Sequence, residues 1–572
     1  MNRTDSTGKH TKGFAGLARK TCGLSFAVAM AFGAASAAHA AQFYTTHVRD
    51  AVTQAVAKQV GSLPASQLMS IDVVLPVRDQ AGLDQFVADV GNPASAQYRH
   101  FVTPQQFTAR FGPTQNDYNT VVQYLTKYGF TIVGGSLDGM NVQAVGPVSA
   151  VEKAFNVKMQ TYQHPTENRV FFSPDREPTT ALAIPLWHVS GLDNFSQPHP
   201  LYVKKGDYAA AHGISPDAVV SHATTGSGPS ASFLGSDMRA AYYGGTALTG
   251  SGQNLGLFEY EGTNLSDLTL YFKNAKQTNN VPVSVISTDG TAATCSGSCT
   301  DIEQTLDMTQ AIGMAPGLAS LVMYVGSTDT AIISAMTTHS PLPTTIGCSW
   351  GWTPADPSTL DPYFEKMAAQ GQTFFAASGD SSTWSSSNEA WPADDAYVIS
   401  VGGTDLTTSS AGGPWKSETA WTDSGGGISP DKIAIPSWQQ ISGVINSSNK
   451  GSTKYRNGPD VSANANFTFY SCGNGTCTAN EYGGTSFAAP MWAGFIALVN
   501  QQLVANGSAR IGSFNATIYP QNESGGKTTT TYTTDFHDIT SGKSGSYSAV
   551  AGYDLVTGWG SPKAGLITTL TQ

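Results

Sequence analysis

From residue 231 onward one pattern repeats: a short apolar run, then a stretch with helical spacing. The runs are Asn254–Glu259, 281–287, 321–325, 344–348, Thr373–Ala377 and 397–401, and helical periodicity covers 265–273, 301–312, 330–338 and 360–370. Runs this short read as strands, and an intervening helix returns the chain parallel to the strand before it. The pattern predicts an α/β domain with a doubly wound parallel sheet, whose ligands bind beyond the carboxyl ends of its strands. Residues 66–195 have a different logic. Strands are predicted at 69–77, 130–133, 141–145 and 157–162, with helices at 82–90, 103–110, 116–128 and Val148–Phe155. That is an α+β module with an antiparallel sheet. Residues 196–230, rich in Ala, Gly, Ser, Thr and His and without periodicity, predict an exposed linker open to proteolysis.

The N-terminus carries Arg3, Lys9, Lys12, Arg19 and Lys20, then an apolar stretch at 22–35, then Ala38-His39-Ala40. Basic region, short apolar region and small-x-small site predict a cleavable export signal over 1–40. No later run is read as a bilayer span, so no stable membrane insertion is expected. Charged residues make up 12% of the 572, about half the usual share. From residue 231 there are 13 Lys+Arg against 26 Asp+Glu within a net charge of −11. That balance argues against nucleic acid as a partner and suits an acidic environment, where protonated carboxyls leave little charge to repel. Cys295 with Cys299, and Cys472 with Cys477, lie in Gly/Ser/Thr/Asn-rich loops with no nearby histidine, which favours disulfides over zinc. Cys348 ends an apolar run and reads as a buried free thiol.

Three motifs can carry chemistry. Gly483-Gly-Thr-Ser-Phe-Ala-Ala-Pro490 precedes the apolar run 491–499 and presents Ser486 on a glycine turn at a helix N-terminus. There, free N–H groups and the helix dipole favour developing negative charge. Alone, it is also an ordinary helix start capped by Thr485 or Ser486. Glu303 and Asp307 are four residues apart, on one helical face. As neighbours, one would keep a proton that the pair can share; in water, they would be a solvated edge. Asp380 follows the buried run Thr373–Ala377 and projects from a strand end, or else is a simple turn residue.

Together these residues resemble the sedolisin family of serine-carboxyl peptidases, the kumamolisin-like enzymes with a subtilisin-like fold. The Ser486 motif, Glu303-x-x-x-Asp307 and Ala377-Ser-Gly-Asp380 match in order. Supporting matches are Ser349-Trp-Gly351, Ser400-Val-Gly-Gly-Thr404, Glu418-Thr-Ala-Trp421, Gly425-Gly-Gly427 and Pro459-Asp-Val-Ser462. Tyr98-Arg-His-Phe-Val-Thr-Pro-Gln-Gln-Phe107 and 151–155 resemble the family's pro-kumamolisin-type activation domain. The resemblance implies a pepstatin-insensitive endopeptidase acting on proteins or peptides. Ser486 would be the nucleophile, Glu303 its base and acid, Asp307 the partner of Glu303, and a protonated Asp380 the oxyanion donor. It implies one Ca2+ per catalytic domain, held by the side chains of Asp538 and Asp554 and the carbonyls of Ile539, Val550 and Gly552. Family relatives usually have glycine where this chain has Val550.

The expected organisation is a signal at 1–40, an activation prodomain at 42–197 that covers the cleft as an intramolecular inhibitor, a processed linker at 198–232, and a peptidase domain at 233–572. The whole would be an exported monomer, released or held in a periplasm. Acid would protonate interface carboxylates and loosen the prodomain. The alternative class is a non-catalytic secreted binding protein on a peptidase scaffold, disfavoured by the intact motifs.

Overall fold

The computed structural model describes residues 43–219, 225–297, 299–388 and 390–572. The export signal read at 1–40 lies outside them. The alternation after residue 231 becomes an eight-stranded sheet. Its strands are β1 (Asn254–Glu259), β2 (Val283–Ser287), β3 (Ser320–Val325), β4 (Thr345–Cys348), β5 (Thr373–Ala377), β6 (Ile399–Thr408), β7 (Trp415–Ala420) and β8 (Val461–Asn464). Their order is β2-β3-β1-β4-β5-β6-β7, with β8 also beside β6. Every pair is parallel except β6 with β7. From β1 the chain passes to the edge strand β2 and returns to fill β3 between them, then crosses to β4 on the other side of β1 and builds outward from there. Carboxyl ends of β1 and β4 therefore diverge into a crevice.

Both faces of the sheet are covered, which is why its strands are nearly continuous apolar runs. Leu255 and Leu257 of β1 face α1 (Ile302–Met314) and α2 (Ala488–Ala505) in one core. Phe258 faces the helices Asp329–Thr338 and Pro357–Gln370 in the other. The segment Thr485–Ala505 is long and apolar enough to cross a bilayer, contrary to the reading that no later run is. Yet 83% of its most apolar window is buried, so it is the helix around which the first core forms. Close helix approach needs a missing side chain at Gly313 of α1, where a Cβ would lie 2.3 Å from the Gly235 carbonyl carbon.

The N-terminal module has the antiparallel sheet expected of it, in the order Thr131–Gly135, Asn141–Pro147, Leu68–Val74, His188–Ser190. Gln59–Ser62, Met159–Gln163 and Val170–Pro174 form a second antiparallel sheet. Gln59–Ser62, Val170–Pro174 and His188–Ser190 are not predicted by periodicity, since they are short and lack alternation. The module docks on the second face of the parallel sheet. Leu83, Phe86 and Phe107 share a core with Leu360 and Phe364. The buried Lys366 ammonium pairs with Asp138, and Tyr363 donates to Asn141 at 2.6 Å.

The predicted exposed linker is ordered where it follows the module. His199–Pro200 pairs antiparallel with Trp350–Gly351, and Val203–Lys204 pairs antiparallel with Tyr482–Gly483. A helix, Lys205–His212, comes next, and residues 210–218 are exposed as expected. Two-residue strands held by main-chain bonds leave no side-chain period, so the sequence does not announce them. This segment enters the crevice.

Candidate active site

Glu303 occupies the first turn of α1, and Asp307 lies one turn on. The helix start is pinned by Asp301, whose carboxylate accepts the N–H of Asn264 and of Asn474, each at 2.8 Å. Glu303 is 1% and Asp307 0% exposed, so the solvated-edge reading fails. Asp307 Oδ1 accepts the Ser349 hydroxyl at 2.7 Å. Glu259, at the carboxyl end of β1, is also fully buried and accepts the Trp350 indole N–H at 2.9 Å. The acidic pair is thus a cluster of three carboxyls. Burial pushes all three well above the usual carboxyl range. Mutual repulsion adds to this: Asp307 and Glu259 raise Glu303, and Asp307 raises Glu259. Neither Glu303 oxygen has a partner with good hydrogen-bond geometry, but the Ser486 hydroxyl and the Asp307 carboxyl are close enough to act on its proton.

Ser486 sits in the single 3-10 turn Thr485–Phe487 that leads into α2. Its hydroxyl is 3.4 Å from the Ser349 carbonyl. Neither Thr485 nor Ser486 caps the helix by its side chain, which corrects that expectation. Thr485 is engaged elsewhere: its N–H and its hydroxyl each donate to Asp380 Oδ1 at 2.8 Å, and its hydroxyl oxygen accepts the Gly379 N–H at 3.1 Å. Asp380 is thereby fixed at the end of β5 beside the Ser486 turn. Gly484 makes the approach possible. Its φ is +138°, and a Cβ there would fall 2.5 Å from both Asp380 Oδ2 and the Leu201 carbonyl oxygen. That same Leu201 oxygen accepts the Ser486 N–H at 3.1 Å.

The structure therefore brings Ser486, Glu303, Asp307 and Asp380 together at the carboxyl ends of β1, β4 and β5. Among the described residues, no histidine is one of the groups acting on Glu303 or Asp307. His339 is bonded to Tyr324 at 2.8 Å, and His537 stacks on Trp415. Sequence reasoning gave no role to Glu259, Ser349 or Trp350. Position alone was the available signal, because Glu259 ends the strand at which the sheet order reverses. Both expected disulfides form, and Cys348 is free and buried.

Near the C-terminus, Asp538 and Asp554 grip one loop. Asp538 Oδ1 accepts the Gly552 N–H at 3.1 Å and the Tyr532 hydroxyl at 2.9 Å. Asp554 accepts the N–H groups of Val550, Val556 and Thr557 at 3.0, 2.9 and 2.8 Å. Among the described residues no group of three or more His, Cys, Asp or Glu could hold a metal, so an ion here would depend on backbone carbonyls. The carboxylates of Asp538 and Asp554 thus close on the same loop, the oxygen-donor chemistry a hard divalent cation takes, while the loop's N–H groups already occupy part of that donor capacity.

Comparison with known proteins agrees with this architecture. Residues 55–195 match the family model "Pro-kumamolisin, activation domain", and 290–519 match "Subtilase family". The chain is 30% identical to kumamolisin of Bacillus sp. (strain MN-32), over 90% of this chain and 93% of that protein. It is 28% identical to sedolisin of Pseudomonas sp. (strain 101), over 87% and 86%. The solved structure of Pseudomonas sedolisin, described as a serine-carboxyl proteinase complexed with pseudo-iodotyrostatin, superposes with a TM-score of 0.50 at 27% identity. The match covers 61% of this chain and 98% of that one. An N-terminal activation domain, a subtilisin-like parallel sheet and these relatives together establish that the chain belongs to the sedolisin family of serine-carboxyl peptidases.

Proposed function

We propose that this peptidase is an exported zymogen, active in acid as an endopeptidase, with Ser486 as nucleophile. Ser486 Oγ attacks the peptide carbonyl while Glu303 takes its proton and later delivers it to the leaving amine. Asp307 shares that proton and, held by Ser349, orients Glu303. Asp380, fixed by Thr485, donates a hydrogen bond to the oxyanion when protonated, with the Ser486 N–H as second donor. The observation that carries this reading is the 3.1 Å bond from the Ser486 N–H to a peptide carbonyl lying in the crevice beside these carboxyls. Ionised carboxylates would repel an oxyanion and could not share a proton. Activity should therefore be highest near pH 3–5 and fade toward neutrality.

The signal at 1–40 directs export, and cutting within 198–232 separates the activation domain from the peptidase. Asp538, Asp554 and the carbonyls of Ile539, Val550 and Gly552 would hold Ca2+, which would staple the C-terminal loop away from the catalytic groups. The test is to purify the parent and a Ser486→Ala variant, shift both from pH 7 to about pH 4, and follow their masses. Only the parent should shed its N-terminal domain and then digest a denatured protein. A parent that stays intact, or a variant that processes itself equally well, rejects the reading.

A further inference from the structure

Residues 199–204 lie in the crevice as a bound peptide would. The Leu201 N–H donates to the Ser349 carbonyl at 2.8 Å, and its C=O accepts the Ser486 N–H at 3.1 Å. Before it, His199–Pro200 pairs with Trp350–Gly351; after it, Val203–Lys204 pairs with Tyr482–Gly483, and the Lys205 N–H donates to the Glu481 carbonyl at 2.8 Å. Main-chain bonds on both sides of the serine fix the register, and side chains then read the walls. The carbonyl held by the serine's own amide belongs to Leu201, so the bond presented is Leu201–Tyr202.

The two residues flanking that bond meet different surroundings. Leu201 is 4% exposed and joins the main apolar core. Tyr202 is half-buried, its ring edge-on to Tyr482 at 5.6 Å and 77°. Its hydroxyl reaches toward Thr300, with Glu303 and Glu261 nearby. Tyr482 lies four residues before Ser486, on the strand that grips Val203.

We propose that Tyr482 selects the residue immediately after the cut bond, so that the peptidase favours an aromatic residue there and a leucine-sized apolar residue before it, and that Leu201–Tyr202 is the first bond it hydrolyses. This rests on Ser486 being the nucleophile. Ser486 Oγ bonds to the Leu201 carbonyl carbon, the C–N bond to Tyr202 breaks, and the Tyr202 amine leaves with the proton passed through Glu303. Water then hydrolyses the ester, leaving a Leu201 carboxylate and restoring the serine. An edge-to-face aromatic pair is worth a factor of roughly 2 to 12.

The experiment begins with the full secreted chain, acidified at several dilutions, with N-terminal sequencing of the first new fragment. Tyr202 is expected at that terminus, with a rate independent of protein concentration. The activated enzyme is then given two quenched peptides that differ only in Tyr or Ala after Pro-Leu. The Tyr peptide should be cut with a kcat/KM roughly 2- to 12-fold higher. Tyr482→Ala should bring that ratio near one, and Tyr482→Phe should keep it. A first terminus elsewhere in an enzyme that goes on to digest peptides overturns the bond assignment while Ser486 chemistry stands. Equal cutting of the two peptides by the parent overturns the selection whether or not the variants fold. A chain inert in acid removes the nucleophile reading and this proposal with it.

Discussion

Gly484 is the residue on which the site geometry turns. Any side chain there would meet Asp380 Oδ2 and the Leu201 carbonyl at 2.5 Å, on a backbone with positive φ. Gly484→Ala should therefore cost roughly 100-fold or more in kcat, as losing an oxyanion donor does, while the fold persists. Steady-state kinetics alongside circular dichroism would check this; near-parental kcat would contradict it. Glu259 calls for a subtler expectation. Its charge raises Glu303, so Glu259→Gln should lower the pKa of Glu303 and move the alkaline limb of the pH–rate profile toward acid. An unmoved limb would mean that Glu259 only supports Trp350.

At the scale of elements, α1 carries Glu303 and Asp307, and its placement depends on backbone contact with the helix Gly235–Tyr242. A Cβ at Gly313 would lie within 2.3–2.8 Å of Gly235 backbone atoms, which cannot turn aside as a side chain could. Gly313→Ala should destabilise the peptidase by about 1–3 kcal/mol and weaken activity with it, measurable by denaturant titration. The elements that were legible in the sequence share a cause. Buried parallel strands such as Thr373–Ala377 must be apolar on both faces, and helices such as Gln115–Lys127 show capping residues and spacing. That Ser486, Glu303, Asp307 and Asp380 would share one candidate site was legible because their local motifs are constrained. The crevice strands at 199–204 were not, since main-chain pairing leaves no residue pattern. Nor was the third carboxyl, since Glu259 meets Asp307 only through the sheet order.

Across the whole molecule, acid would act on the docked activation domain through specific groups. Burial holds Asp72 up to about 6, and Asp329 and Glu365 up to about 7. A raised carboxyl pKa means the folded state holds the proton, so these groups favour docking in acid and oppose it as pH rises. Two features work the other way. His188 is buried, stacked on His47 at 4.5 Å and near Arg49, and its pKa is pushed well below the usual value. Stability tied to it is present above about pH 6.5 and is lost as pH falls below that value. Asp138, paired with Lys366, is held low, so its contribution disappears only in stronger acid. Three raised carboxyls outweigh one lowered imidazole over this range, so the calorimetric midpoint of the activation domain in Ser486→Ala protein should rise from about pH 6.5 to about pH 4, and His188→Gln should steepen that rise. A midpoint that falls in acid would give His188 control. Chelation should lower the midpoint of the peptidase by a few degrees if Ca2+ binds at the C-terminal loop, as expected for loss of a ligand specific to the native state. The crevice strand carries one more consequence. Once the bond after Leu201 opens, the severed domain still grips the peptidase twice, through its docked helices and through His199–Pro200 on Trp350–Gly351. It has become a bivalent ligand, and each contact keeps the other at high effective concentration. Opening the bond therefore does not free the enzyme; avidity must be broken as well, as a second cut between the two would do.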